Sequence, residues 1–487
     1  MLKSLINKEI RSISLSPKFT GTFLVCSILI LLSVYSGIRE YKAMKERYHS
    51  ASQLVNQELD QATSWGSLST RVYREPDPML VLVSGVDYDI GRWTPISNES
   101  SVKLKNSAYS DDPIYAVFRF IDFAFIVQYV LTLFALLFTY NAINGEREDG
   151  TLKLLFSNSI SRAKYLTGKI VGTWLSLVVP ISIPVLLGLL LLMLFNIPLS
   201  SNDWLKIIIF MAFSLILFTF FVSLGLLISS LSRKSSTSFL VSLVVWVVLV
   251  IVVPRAGIMA AGYMVNVPRV AEIEGQLSGY SQSLWDEFQR LSAERWSEFD
   301  QQGDEIQPVS DEILWEILER EDSLQSLIEK QIHKYDLKLR EDLRQRKIQQ
   351  EKLAYLLSSI SPAAAYQIGS MSLAGTDDEI KTRYEDAANN YRNQFYEFVE
   401  QKKKETGDLG RVIVSFTMDD EGNQEMSSAG GRNKEKLNTD GLPEFSQPNQ
   451  TLSEAIAPTI KLIGLILAYS IITFMAAAVA FIKYDVR

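Results

Sequence analysis

Six stretches of this chain, residues 19–38, 120–143, 170–195, 204–231, 239–259 and 458–482, are long and apolar enough to cross a bilayer. A hydrocarbon core of ~30 Å takes about 20 helical residues. No other feature limits the fold as severely, because inside lipid every backbone N–H and C=O must be bonded within the chain, and segments of this length do so as helices. Six such runs exclude an ordinary cytosolic enzyme. An aromatic content of 11% excludes a disordered chain. The single cysteine, Cys26, excludes an intrachain disulfide and a thiolate zinc site, and His49 and His333 lie too far apart in sequence to suggest a histidine metal centre. The expected fold is an all-α polytopic membrane protein, with six transmembrane helices and a mostly helical extracytoplasmic domain between helices five and six.

The first run has no small-residue cleavage site after it and reads as an uncleaved span. The third carries Pro180 and Pro184, which predict a kink. Orientation follows from Lys and Arg in the short segments. Lys3, Lys8, Arg11 and Lys18 precede span one, and Arg147, Lys153, Arg162, Lys164 and Lys169 lie between spans two and three. Arg233 and Lys234 lie between spans four and five, and Lys483 and Arg487 follow span six. With six spans these fall on one side, so both termini are expected in the cytoplasm. The expected organisation is therefore 1–18 as a cytoplasmic amphipathic helix, 39–119 as an external loop, 144–169 as a cytoplasmic loop, 260–457 as the external domain and 483–487 as a cytoplasmic tail. Residues 269–454 hold 22 Lys/Arg against 37 Asp/Glu, an acidic exterior opposite a basic interior.

The external insertion reads as helices over 270–299, 311–358 and 377–404. In the second of these Ile313, Ile317, Leu324, Ile328, Tyr335 and Leu339 step by fours and sevens like a coiled-coil seam. The seam either packs on the other helices or docks a partner. Arg411–Phe416 alternates like a strand, with a hairpin turn expected at 421–423. The Asp419-Asp420-Glu421-Gly422 run lacks the ligand spacing of a calcium loop. Residues 367–375 carry no charge and suit interdomain packing, the outer membrane face or the mouth of a pathway. Arg119 and Asp122 are spaced to pair near the outer end of span two.

The most informative stretch is the loop after span two. Acidic Glu146 leads to Gly150-Thr151-Leu152, then Leu154-Leu155, then Ile160-Ser161-Arg162 and a basic approach through Lys169. A short, partly apolar element held at both ends by spans can carry a rigid-body push into two helices at once. Here the sequence resembles the ABC-2-type permeases, the membrane subunits of type-2 ATP-binding-cassette transporters. The amphipathic start with Leu2, Leu5, Ile6, Ile10 and Ile13, the six spans and the two internal ends agree with that. The large insertion, and Ser361-Pro362-Ala363-Ala364 within it, resemble a subgroup with a large extracytoplasmic domain of unknown function before the last helix.

The resemblance implies that the loop is a coupling helix seated on a separate ATPase subunit. Its interface would comprise Glu146, Arg147, Gly150, Thr151, Leu152, Leu154, Leu155, Ile160, Ser161 and Arg162. It also implies two copies of that ATPase, which would bind the ATP and magnesium, and a second permease copy or a related permease. The location would be a bacterial inner membrane. No nucleic-acid partner, catalytic residue, metal ligand or cofactor of its own is expected for this chain. It has no G-x-x-x-x-G-K-[ST] phosphate loop, so hydrolysis would belong to the other subunit. The function expected is an exporter's permease. The alternative is an ATPase-driven mechanotransmitter that moves the external domain against an envelope partner without carrying a solute. A receptor or scaffold without an ATPase is a third class, which the loop motif disfavours.

Overall fold

A computed structural model describes residues 2–65, 68–96, 102, 104–105, 121–157, 160–301, 311–406, 413–418, 424–429 and 436–483. Arg119, Arg411, the turn 421–423, the Asp419–Gly422 run and the tail 484–487 lie outside the described residues, as do the side chains of Ile313 and Ile317. The protein is an all-α polytopic membrane protein in which six helices are long and apolar enough to cross a membrane. It divides into two compact units, Met1–Ile251 with Ser361–Arg487, and Val252–Ile360.

The first unit opens with the amphipathic helix α1 (Leu2–Ser14). Ser16 ends it and starts the next helix, its hydroxyl accepting from the Phe19 N–H, with Pro17 at the first helical position. Helix α2 then runs Pro17–Asp60, 22 residues beyond the end of the apolar run at Ile38. Its continuation carries good helix formers, with Tyr41, Met44 and Val55 buried. The second span, α3 (Phe123–Glu148), contains a π-helical turn over Ile126–Leu131. A short helix α4 (Thr151–Ser157) follows, then α5 (Arg162–Leu194), with Pro180 and Pro184 both accommodated inside it. Helix α6 (Ser201–Leu231) starts on a capping box between Ser200 and Asp203. Helix α7 (Ser235–Met264) is the fifth long apolar helix, with a second π-helical turn at Val248–Val252.

Polar side chains tie these helices where the apolar effect cannot discriminate protein from lipid. Trp246 Nε1 donates to Thr132 Oγ1 at 2.9 Å, and Trp174 Nε1 to Thr219 Oγ1 at 3.0 Å.

The second unit comprises the last part of α7 and a helical hairpin. Helices α8 (Val270–Gln301) and α9 (Asp311–Ser358) pack on one another, and the Tyr280 ring lies tilted against Tyr335 with centroids 4.2 Å apart. The described part of the expected seam, Leu324, Ile328, Tyr335 and Leu339, is half-buried. At 1.5 Å per residue α9 is ~70 Å long.

The insertion therefore is not one domain. Its remainder rejoins the first unit through α10 (Pro362–Ala374), whose N-cap Ser361 accepts from the Ala364 N–H. Eleven of its 13 residues are buried. Tyr366 shares a hydrogen bond with Ser214 of α6 at 2.9 Å, and Gln128, in the π turn of α3, donates to Gln367 at 3.3 Å. The charge-free segment is thus a packing element among helices. Beyond it, α11 (Glu379–Thr406) buries Tyr384, Ala388, Tyr391, Phe395 and Val399. They pack against Trp65, Leu68, Val72 and Ile96 of the segment between the first two spans, where β1 (Thr70–Tyr73) pairs antiparallel with β2 (Trp93–Ile96). The expected hairpin is present as β3 (Ile413–Met418) against β4 (Gln424–Ala429). The last helix, α12 (Leu452–Ile482), starts on a Thr451–Glu454 capping box.

Candidate functional site

The loop between α3 and α5 begins where α3 loosens into turns over residues 140–143 and tightens again at Asn144–Glu148. Asn144 is fully buried. Its side-chain oxygen accepts from Ser229 Oγ at 3.2 Å, and Ser229 Oγ accepts from the Ile143 N–H at 3.0 Å, tying the loop to α6. Glu148 accepts from the Ser235 N–H at 3.0 Å and from its hydroxyl, tying it to the start of α7. Gly150 takes a left-handed φ of 73°, a conformation that favours glycine, and this turn separates α4 from the helix before it.

Glu146 points inward. One carboxylate oxygen accepts from Lys8 Nζ at 3.0 Å and Lys169 Nζ at 3.1 Å, the other from Tyr165 OH at 2.5 Å. Lys169 also donates to Glu9 at 2.7 Å, and Thr173 donates to the other Glu9 oxygen at 3.4 Å. The Lys169 and Glu9 side chains are each only 9% exposed. This network joins α1, α3 and α5. Such close approach of α1 requires Gly172, since a Cβ there would lie 2.6 Å from Glu9 Cβ.

The rest of the loop is braced as well. Leu152 is buried, while Leu155 and Ile160 are half-buried against the core. Thr151 Oγ1 donates to the Glu146 carbonyl at 3.1 Å. Phe156 lies against Tyr165 and Phe481, with centroids 5.5 and 6.0 Å away. Ser161 caps α5, its hydroxyl accepting from the Lys164 N–H. Arg162 donates to the carbonyls of Phe481 and Ile482, in the last turn of α12, where a cation is favoured. Arg147 is half-buried. Leu154 alone among the loop's leucines is turned out, 69% exposed.

Of the residues expected here, the structure thus brings Glu146, Leu152 and Arg162 into contact with the helices and leaves Leu154 projecting. Sequence reasoning missed Glu9, Lys8, Tyr165 and Ser235. For Glu9 a signal existed: it falls between Ile6 and Ile13 on the buried stripe of α1, where an acid needs a partner.

The arrangement defines a polytopic membrane protein with an amphipathic N-terminal helix and a loop clamped to the ends of four other helices. Residues 4–486 match the family described as ABC-2 family transporter protein, and the chain belongs to that family. No curated protein matches it.

Proposed function

We propose that this chain is the membrane-spanning permease subunit of an ABC-2 type exporter, coupling ATP hydrolysis on a separate subunit to transport. The observation that carries the reading is the exposed Leu154 on a loop that Glu146, Asn144, Glu148, Phe156 and Arg162 tie to α1, α5, α6, α7 and α12. A force applied at Leu154 would reach five helices without first deforming the loop. In this reading Leu154 and its exposed neighbour Lys153 contact the ATPase, while Glu146 and Arg162 act as braces. The ATPase is present in two copies and holds ATP and magnesium. A second permease copy completes the membrane part, and both termini lie in the cytoplasm. The rival mechanotransmitter draws its support from the length of the α8–α9 hairpin, which in that reading acts on an envelope partner.

The deciding experiment is co-purification with the ATPase. Leu154→Asp places a carboxylate in a contact that should be dry, at a cost on the order of 2–5 kcal/mol. The variant should fold and insert normally yet lose its ATPase. Normal assembly and stimulation in this variant would remove the loop from the coupling role. Transport by reconstituted vesicles separates exporter from mechanotransmitter.

A further inference from the structure

Far from the coupling loop, α2 and the turn after α5 border an open cavity of about 460 Å³. Lys42, Lys45, Glu46, His49 and Ser50 of α2 line one wall, and Asn196 belongs to the other. The α2 residues recur every three to four positions, so they share one helix face. The depth of the cavity follows from both walls. The apolar run of α2 ends at Ile38, one turn before Lys42, and α5 ends at Leu194. The cavity therefore lies where apolar helix surface gives way to polar surface, the level of lipid headgroups.

Two contacts connect it to the apolar surface beneath. Lys42 Nζ sits 5.0 Å from the centroid of the Phe195 ring, and Phe195 meets Tyr35 edge-on at 6.2 Å. Around that depth Leu32, Leu190 and Leu194 are 58%, 57% and 71% exposed, as lipid-facing residues are. Lys45 lies 3.6 Å from Glu75 and 3.5 Å from Tyr41 OH, so its ammonium is held toward this end of the helix. The combination is amphipathic, with two ammonium groups and a carboxylate above an aromatic step and open apolar surface below. A soluble anion would use only the upper half.

We propose that this cavity binds a glycerophospholipid of the ethanolamine class. The phosphate lies between Lys42 and Lys45, and the headgroup ammonium reaches Glu46. The acyl chains run down the exposed surface of α2 and α5. The site is open to the bilayer and fills laterally, so it depends on neither the identity of the ATPase nor the direction of transport.

The test is native mass spectrometry of the full chain in detergent, titrated with dioleoyl phosphatidylethanolamine. One lipid should bind ahead of the others. Lys42→Gln combined with Lys45→Gln should weaken that first step by about tenfold or more, given the attraction of each lysine for a phosphate at a membrane surface. Because Lys45 also meets Glu75, Ser50→Trp serves as an independent variant. It fills the cavity without altering charge and should cause a comparable loss, while Lys347→Gln on α9 should leave binding unchanged. Soluble glycerophosphoethanolamine at the lipid's concentration should not displace the lipid. Equal binding by wild type and Ser50→Trp, or by wild type and the double variant, would overturn the proposal. Displacement by the soluble headgroup would also overturn it, making the cavity a site for a free phosphate ester.

Discussion

Two ends of the first unit bury charge, and they do so differently. At the loop end, Lys169 sits between Glu9 and Glu146, with Lys8 on the second carboxylate. These four residues come from three helices, α1, α3 and α5, so the charges determine where helices meet. At the far end, Asp87 is held by Arg74 and Arg92 within one short segment, and Asp77 caps the short turn Pro78–Val81. Those charges shape a loop. The comparison teaches that a buried ion group's reach in sequence tells what it organises. Glu9 to Lys169 spans 160 residues and Arg74 to Asp87 only 13. Breaking the first should free an element, whereas breaking the second should loosen a local fold.

The largest effect is expected for Lys169→Met. It strands the buried Glu9 carboxylate, which typically costs about 3–5 kcal/mol, while Glu146 keeps Lys8 and Tyr165. The loss should appear as faster hydrogen exchange throughout α1, with α11 unaffected. Lys169→Arg should restore most of the protection. If α1 stays protected in Lys169→Met, the close packing at Gly172 rather than the ion network holds the helix.

A smaller effect is expected for Asp87→Asn. Burial alone would push the Asp87 carboxyl up, but Arg74 and Arg92 outweigh it and hold it below the usual carboxylate range. Asparagine keeps an acceptor and loses the charge, so about 2–3 kcal/mol should go. Exchange should rise in β1 and β2 and not in α1. A global loss of structure would mean that this triad organises more than its loop.

How far the sequence carried these regions follows from the same distinction. The spans, α8, α9 and the β3–β4 hairpin were legible because each is written in a local pattern of apolar length, period or alternation. The limits of α9, 311–358, follow from the absence of Gly and Pro. The continuation of α2 past Ile38 was readable from residue propensities but hidden by the end of the apolar run. The inward turn of Glu146 was not legible, since its partners lie at positions 8, 165 and 169 and only the folded α1 brings the first of them near. The core shared by Trp65, Val72 and Ile96 with Tyr384 and Phe395 was equally hidden, because side chains some 300 positions apart leave no periodic trace.

The smallest effect concerns pH and separates the far end from the loop end most finely. Burial pushes the Asp77 carboxyl up to about 6, against the opposing Met79 N–H and Lys206. Burial also raises Asp377, just before α11, to about 6, against the pull of Arg383. Both carboxyls hold protons more tightly in the folded state than in the unfolded one, where 3.8 is ordinary. Their contribution to stability is fully present below about pH 3.8 and is lost as pH rises through about 6. Asp87 behaves oppositely, with stability lost only as pH falls below the ordinary carboxylate range, so it contributes no slope between pH 8 and 5. Over that interval the far end should gain about 1 kcal/mol from each raised group. Hydrogen exchange in β1, β2 and α11, corrected for the intrinsic rate, should therefore slow on acidification. Asp77→Asn keeps a side-chain acceptor for the Met79 N–H and should remove about half of the slope while making the region more stable at pH 8. An unchanged slope in that variant would assign the whole effect to Asp377. A slope of the opposite sign would mean that paired rather than desolvated carboxylates dominate this end.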